Sequence, residues 1–314
     1  MENNKPKISV IIPVYNCEKF FEKCLKSVRN QTFKDFEVII VNNGSTDGSG
    51  NIARAFAEAD SRFIVINHKN GSAGECRNVG IQSAQGKYLA FVDSDDSLDE
   101  KFLETLYSIA TKYDADIVNS GFYFYFLNTG KTEKCGKLPK NACYDRDTAL
   151  KYLLKDSKIR FYFWNKLWRK SLFTDNNIKI PNMYYEDAVA VSQLFFYAKK
   201  IASTDYCGYY YTRSNSKYKE VNMPVQRIND YINTVPIIRL FLERNGCYKS
   251  FKTSFRKHIS HVFFSVPILA FQARKNSKNG VLKNTFIGMS SVIKYSSTSF
   301  DKLEKIDLAE NALK

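Results

Sequence analysis

The 314 residues carry 44% hydrophobic and 25% charged side chains and a formal net charge of +15. That composition is globular, and no run reaches the ~18 apolar residues of a membrane-spanning helix, which argues against a disordered or an integral membrane protein. Seven cysteines without C-x-x-C spacing and only three histidines argue against zinc, so any metal should be oxygen-bound and the thiols suit a reducing cytoplasm.

Residues 1–7 are polar and lead into a β-branched apolar run at 7–13, so a strand rather than a secretory leader is expected there. Residues 17–30 then place Phe20, Phe21, Cys24, Leu25 and Val28 at helical spacing. A second apolar strand at 36–41 ends in the turn-rich stretch Asn42-Asn43-Gly44-Ser45-Thr46-Asp47-Gly48-Ser49. A helix to about 59, a strand at 63–67, a helix to 83 and an apolar strand at 88–92 continue the alternation, followed by a helix over 100–112. This rhythm predicts a parallel α/β sheet with right-handed crossovers, in which ligands bind beyond the carboxyl ends of the strands. Three polar loops, 13–16, 42–45 and 93–96, fall at such ends, and one open sheet brings them to one edge. Asp93, Asp95 and Asp96 crowd three carboxylates into four residues. Such crowding suits a divalent cation, Mg2+ or Mn2+; it equally suits a turn capping the next helix, with Ser97 or Asp99 as the cap.

From about 130 to 214 the pattern turns aromatic, with Trp164 and Trp168 close together and Tyr184-Tyr185-Glu186-Asp187 ahead of a helix over 188–199. The tryptophans suit a core, and the two acids suit a helix N-terminus as well as chemistry. The tail reads as helical over 224–245, as an apolar stretch at 262–271 interrupted by Pro267, and as helical again over 300–313. Residues 215–300 hold 14 Lys and Arg against 3 Asp and Glu, which suits an anionic partner or a solvated face. Together with Phe255, Phe263, Phe264, Phe271 and Phe286, these cations fit a helix lying on an anionic membrane, or an extension that packs on the rest of the chain or forms a homodimer. Nucleic acid is not expected as a partner, because it gives Asp93, Asp95, Asp96 and Asp187 no purpose.

Taken in order, several segments resemble the N-terminal signature of the family-2 inverting glycosyltransferases. They are Ile8-Ser9-Val10-Ile11-Ile12-Pro13-Val14-Tyr15-Asn16, Ser27-Val28 with Gln31-Thr32, Gly44-Ser45-Thr46-Asp47-Gly48-Ser49, Arg77-Asn78 with Gly80, Gly86-Lys87-Tyr88, and Phe91-Val92-Asp93-Ser94-Asp95-Asp96. Trp164-Asn165-Lys166-Leu167-Trp168-Arg169 resembles a segment of the members that build bacterial capsule, lipopolysaccharide and O-antigen glycans. The resemblance implies a GT-A fold, Rossmann-like, with a mostly parallel sheet and helices on both faces. With it the chain divides into a catalytic domain at 1–214, with a nucleotide-sugar half at 1–120 and an acceptor half at 121–214, and, from charge and periodicity, a basic helical C-terminal region at 215–314. The implied reaction is a metal-dependent, inverting transfer of a hexose or N-acetylhexosamine from a nucleoside diphosphate sugar, UDP being the expected nucleotide. The implied acceptor is a hydroxyl of a glycan or lipid-linked glycan; with the cytoplasmic reading of the N-terminus and thiols, and the basic aromatic tail, the expected place is the cytoplasm, with peripheral attachment to the inner face of the cell membrane.

The same resemblance assigns roles. Pro13, Val14 and Tyr15 would line the base pocket, and Arg77 would lie near the base or phosphates. Asp93 would bind the ribose with Ser94 also on the donor, and Asp95 would coordinate Mn2+ or Mg2+. The family usually has Asp where Asn43 stands, and Asn43 can still accept a hydrogen bond from the base through its amide oxygen. Lys166 and Arg213, the latter in the segment 209–216, would serve the donor diphosphate. Trp164 and Asn165 would reach the acceptor together with Glu186, and Asp187 would be the general base.

Overall fold

β-branched residues at alternate and consecutive positions make the first strands apolar on both faces, and a strand of that kind must be covered on both sides. In the computed structural model, which describes residues 5–69, 71–135, 138, 141–213, 224–272, 280–298 and 302, this is the case. Side chains are described for those residues except 225, 271, 272 and 280–286, so the helix expected at 300–313 and the side chains of Phe271 and Phe286 lie outside the described residues.

The expected alternation forms in order: β1 (Ile8–Val14), α1 (Glu18–Arg29), β2 (Phe36–Asn42), α2 (Ser49–Ala59), β3 (Phe63–Asn67), α3 (Ala73–Ser83) and β4 (Tyr88–Phe91). β5 (Ser97–Leu98), α4 (Phe102–Tyr113), β6 (Ile117–Phe126), β7 (Lys131–Cys135), β8 (Ala142–Asp145) and α5 (Arg146–Leu154) follow. Then come β9 (Lys166–Arg169), α6 (Ser171–Thr174), α7 (Glu186–Tyr197), β10 (Lys200–Arg213), α8 (Val225–Arg244), α9 (Tyr248–Gln272) and α10 (Gly280–Ser297).

The chain forms two compact units. One comprises Met1–Arg146, Tyr162–Ile178 and Leu194–Asn215; the other comprises Asp147–Phe161, Lys179–Gln193 and Ser216–Lys314. The first holds a single sheet in the order β3-β2-β1-β4-β9-β6-β10-β5, with β7 beside β6 and β8 beside β10. β3, β2, β1 and β4 are mutually parallel, and β6 and β10 are parallel, while β9 runs antiparallel between β4 and β6. Val10, Ile12, Val38, Ile40 and Ala90 are fully buried under α1, whose inner stripe is Phe21, Cys24, Leu25 and Val28. This is the expected α/β fold: a parallel nucleotide-side sheet, extended by antiparallel strands, with a helical C-terminal part.

Three local expectations are corrected. α4 starts at Phe102 and not at 100, and Ser97 does not cap it; Ser97 and Leu98 instead pair antiparallel with β10 through Tyr210 and Tyr209. α7 begins at Glu186, so both acids occupy its first turn. Pro267 does not interrupt the tail: α9 runs through it for 25 residues, as α8 runs through Pro236. An interior proline forfeits one backbone bond, and packing can hold the helix across that gap. Ile232, Val235 and Ile238 of α8 and Phe255, Val262 and Val266 of α9 supply that packing, being almost wholly buried.

A buried polar knot joins the strands near their start. Ser9 Oγ donates to Glu37 Oε1 at 2.6 Å, the Gln85 amide donates to the same oxygen at 2.6 Å, and the Gly86 amide donates to Ser9 Oγ at 2.8 Å. A Cβ on Gly86 would lie 2.6 Å from the Ser9 nitrogen and 2.7 Å from the Ile8 carbonyl carbon, both backbone atoms that cannot yield locally. We expect Gly86→Ala to lower the unfolding free energy by about 2 kcal/mol or more, in the manner of overpacked cores, as read from the urea midpoint.

Candidate functional site

The carboxyl ends of β1, β2 and β4 lie side by side because their register is parallel: Val14 pairs with Asn42, and Ile11 with Phe91. The loops after β1 and β2 are zipped together. Asn16, in the left-handed region at φ 47°, accepts bonds from the Thr46 amide at 2.8 Å and the Thr46 hydroxyl at 3.3 Å. In return, the amides of Asn16, Cys17 and Glu18 donate to Ser45 Oγ, Ser49 Oγ and Asp47 Oδ2. This reciprocal clamp leaves Pro13 half-buried, Val14 buried, and Tyr15 51% exposed at the rim, free to present its ring.

Asn43 follows β2 and is buried. Its Oδ1 accepts from the Gly71 amide at 2.7 Å and its Nδ2 donates to the Gly71 carbonyl at 2.7 Å, with His68 Nδ1 3.3 Å from Oδ1. The amide therefore imitates a strand neighbour and braces the loop after β3. Asn42 does likewise, accepting from Ser45 and donating to Asn67 Oδ1.

The three carboxylates after β4 have three different fates. Asp93 Oδ1 pairs with Arg77 Nη2 at 3.0 Å, and the Arg77 guanidinium lies 5.5 Å from the centre of the Phe163 ring. Asp96 is 2% exposed; its oxygens accept from the Tyr209 hydroxyl and the Thr212 amide, each at 2.7 Å. Burial, with the charges of Asp93 and Asp95 behind it, pushes Asp96 well above the usual carboxylate range. The Tyr209 hydroxyl also accepts from the Asp93 amide at 3.1 Å, and the Asp96 amide donates to the Asp93 carbonyl at 3.1 Å, so one phenol closes the turn.

Asp95 is the carboxylate left open. It presents a face to solvent, yet the protein atoms crowding its carboxyl, and then the Asp93 charge, push it up to about 6. Among the described residues no cation compensates it, and no three His, Cys, Asp or Glu side chains form a complete ligand set. That donor set fits Mg2+ or Mn2+, which are held by one or two carboxylates and complete their shell with substrate phosphates. Ser94 beside it is half-buried and hydrogen-bonds with the Cys17 thiol.

Aromatic rings hold this turn from behind. Trp164 is 5% exposed and stacks on Tyr162, Tyr209 and Tyr211 with centroids 4.6, 4.4 and 5.4 Å away, while Phe122 meets it edge-on at 4.7 Å. Asn165 and Lys166 are buried as well. The Ser120 hydroxyl donates to the Asn165 carbonyl at 3.0 Å, Asn165 Nδ2 donates to the Ser120 carbonyl at 2.8 Å, and Lys166 Nζ donates to the Tyr162 carbonyl at 2.6 Å and to Asn165 Oδ1 at 2.7 Å. Trp164, Asn165 and Lys166, expected at the donor and acceptor, lie behind the carboxylate turn and pack and hydrogen-bond there. Arg213 is exposed at the end of β10, its guanidinium 3.7 Å from the centre of the Phe124 ring; residues 214–216 of the expected loop lie outside the described residues.

Glu186 and Asp187 belong to the second unit. Tyr185, at φ 60°, turns the chain into α7, and the Ala188 amide donates to Asp187 Oδ1 at 2.8 Å. Asp230 of α8 fixes the approach by accepting from the Tyr184 amide at 2.9 Å and Gln226 Nε2 at 2.6 Å, and the Tyr185 and Tyr231 rings lie 4.4 Å apart. Sequence reasoning missed Tyr209, Tyr211 and Asp230. The run Tyr209-Tyr210-Tyr211 was a visible oddity, but nothing in it marks which hydroxyl turns inward.

A parallel sheet with a carboxylate turn after its fourth strand, facing two clamped loops, is the layout of a nucleotide-sugar-binding GT-A fold. The profile described as Glycosyl transferase family 2 matches residues 9–176, over half of the chain, and the chain belongs to that family. It is 31% identical over 274 residues to the cholesterol galactosyltransferase of Borreliella burgdorferi, covering 84% of this chain and 75% of that one. The chain spans between 29% and 77% of the length of the curated relatives it matches. Among solved structures, residues 1–349 of Staphylococcus aureus TarS in complex with UDP-GlcNAc superpose with a TM-score of 0.72 at 21% identity, covering 95% of this chain and 83% of that one. The mannosyltransferase PcManGT of Pyrobaculum calidifontis, in complex with GDP-Man and Mn2+, superposes with a TM-score of 0.57 at 13% identity, covering 98% and 85%. At those identities the likeness is one of fold.

Two outcomes follow from the carboxylate turn. Tyr209→Phe should keep the fold but cost about 1–3 kcal/mol in chemical denaturation, the usual effect of leaving a buried acceptor short of its donor. Asp95 is raised in the folded protein relative to the unfolded chain, so the unfolded chain releases its proton first and stability falls as pH rises from about 4 to about 6. Asp95→Asn should therefore raise the melting temperature at pH 7.5 and lose that advantage near pH 4.

Proposed function

We propose that the chain is a metal-dependent, inverting glycosyltransferase. In this reading it moves a hexose or N-acetylhexosamine from a nucleoside diphosphate sugar, with UDP the first choice, to a hydroxyl of a bacterial surface glycan or its lipid-linked precursor, and works in the cytoplasm. The observation that carries the reading is Asp95, an open carboxylate pushed up to about 6 while Asp93 and Asp96 beside it are already engaged. Family membership and the UDP-GlcNAc and Mn2+ complexes of its structural neighbours support it.

Under this reading Asp95 holds Mn2+ or Mg2+, which when bound supplies positive charge to the departing diphosphate. Tyr15 offers a ring for stacking on the base, with Pro13 and Val14 beneath it. Asn43 acts on the base through the loop it braces, because its own amide is taken up by Gly71. Asp93, held by Arg77, accepts from the ribose hydroxyls alongside Ser94, and exposed Arg213 serves the diphosphate. Trp164, Asn165 and Lys166 position the turn. Inversion needs one in-line attack on the anomeric carbon: the acceptor oxygen forms the new bond, the bond to the diphosphate breaks, and a carboxylate takes the hydroxyl proton. Asp187 is that base, with Glu186 binding the acceptor, and the turn held by Asp230 keeps both at the start of α7.

The test is release of nucleotide from a panel of UDP- and GDP-sugars with and without Mn2+. Wild type should hydrolyse one donor slowly in a metal-dependent way and Asp95→Asn should not. Asp187→Asn should bind the same donor with unchanged Kd but lose about 10²–10⁴-fold in transfer once an acceptor is found, the usual share of a general base. Absence of nucleotide-sugar binding in calorimetry sinks the proposal; loss of donor binding in Asp187→Asn sinks the division of roles.

A further inference from the structure

From Arg244 to Phe300 the sequence has ten Lys and Arg and not one Asp or Glu. The structure sorts the aromatic residues of that segment. Phe251 and Phe255 are buried, Phe263 is half-buried, and Phe264 is 71% exposed with Ile268 60% exposed one turn on. On α9 the exposed positions Lys257, His261, Phe264 and Ile268 follow at spacings of four, three and four, which is one stripe of a helix. Lys249, Lys252 and Arg256 lie exposed on the earlier turns. One helix thus carries cations along its first half and bare apolar side chains along its second. The acid near this stripe is Asp156, 3.7 Å from His261 and already paired with Arg160 at 2.6 Å.

We infer that the exposed stripe of α9 docks on an anionic lipid bilayer, the cations against headgroups and Phe264 and Ile268 in the acyl boundary. Charge and apolarity together select this occupant. A second copy docked stripe to stripe would bring an equally cationic surface, with Asp156 already paired to Arg160, against the first, and a soluble polyanion would give Phe264 and Ile268 nothing to bury in. A bilayer with anionic headgroups satisfies both halves of the helix at once. Among the described residues no helix is long and apolar enough to cross a membrane, so the contact is interfacial. This inference stands apart from the sugar-transfer reading, since Phe264 and Ile268 take no part in that chemistry.

The test is co-sedimentation of the full chain with vesicles of phosphatidylcholine alone, or with about a third of phosphatidylglycerol. The chain should pellet only with the anionic vesicles. Phe264→Glu with Ile268→Glu, and separately Arg256→Glu with Lys257→Glu, should each weaken partitioning by about tenfold or more, while free glycerol phosphate should not compete. All four side chains are exposed, and circular dichroism confirms the variants' fold. Failure to pellet overturns the inference, as does unchanged binding of either double variant. So does a dimer in sedimentation velocity that the Phe264→Glu, Ile268→Glu variant turns into a monomer, which would assign the stripe to a second copy.

Discussion

Three carboxylates within four residues at the end of one strand repel one another, and the first unit is arranged around relieving that repulsion without neutralising it. The Tyr209 hydroxyl does most of this. It accepts from the Asp93 amide and donates to the Asp96 carboxylate, so a turn that like charges would spread is held shut by a buried phenol. The phenol in turn is aimed by its stack on Trp164. Trp164 sits between Tyr162 and Tyr211 because Tyr162 and Trp164 precede β9 while Tyr209 and Tyr211 lie on β10, two strands that flank β6. A long antiparallel and parallel patchwork therefore ends in one oriented hydroxyl. With Asp93 paired to Arg77 and Asp96 hydrogen-bonded in the core, Asp95 is the carboxylate of the three that faces solvent.

The same economy governs the two asparagines after β2. Their amides are spent within the loops, Asn43 on both backbone groups of Gly71 and Asn42 on the Ser45 amide and the Asn67 side chain, which makes the rim out of fixed loops. Loops tied by side-chain amides keep their shape without adding charge to an already anionic edge.

The second unit works by different physics. Asp230 gathers the turn before α7, so that Glu186 and Asp187 enter the helix where its amides favour negative charge. Further along, α9 buries Phe255, His258 and Val262 on one side, and burial pushes His258 down to about 4, so it stays a neutral core residue in ordinary buffers. The opposite side is cationic and then apolar, a gradient along the helix axis rather than around it.

The alternation of β-branched runs and helical stripes up to residue 113 was legible in the sequence, because period and turn chemistry are local. So were the placing of the strand ends and the acid cluster on one edge, since right-handed crossovers leave little choice of topology. Whereas the core place of the tryptophans was legible, the course of α9 through Pro267, the pairing of Ser97 with β10 in place of a cap, and the burial of Asn165 and Lys166 were not. Each depends on a partner far away in the sequence. Composition could say that three aspartates shared a turn, and family resemblance could suggest which one takes the metal. Only the tertiary structure decided that Asp93 answers to Arg77 and Asp96 to Tyr209, because both partners are brought to the turn by other elements of the fold.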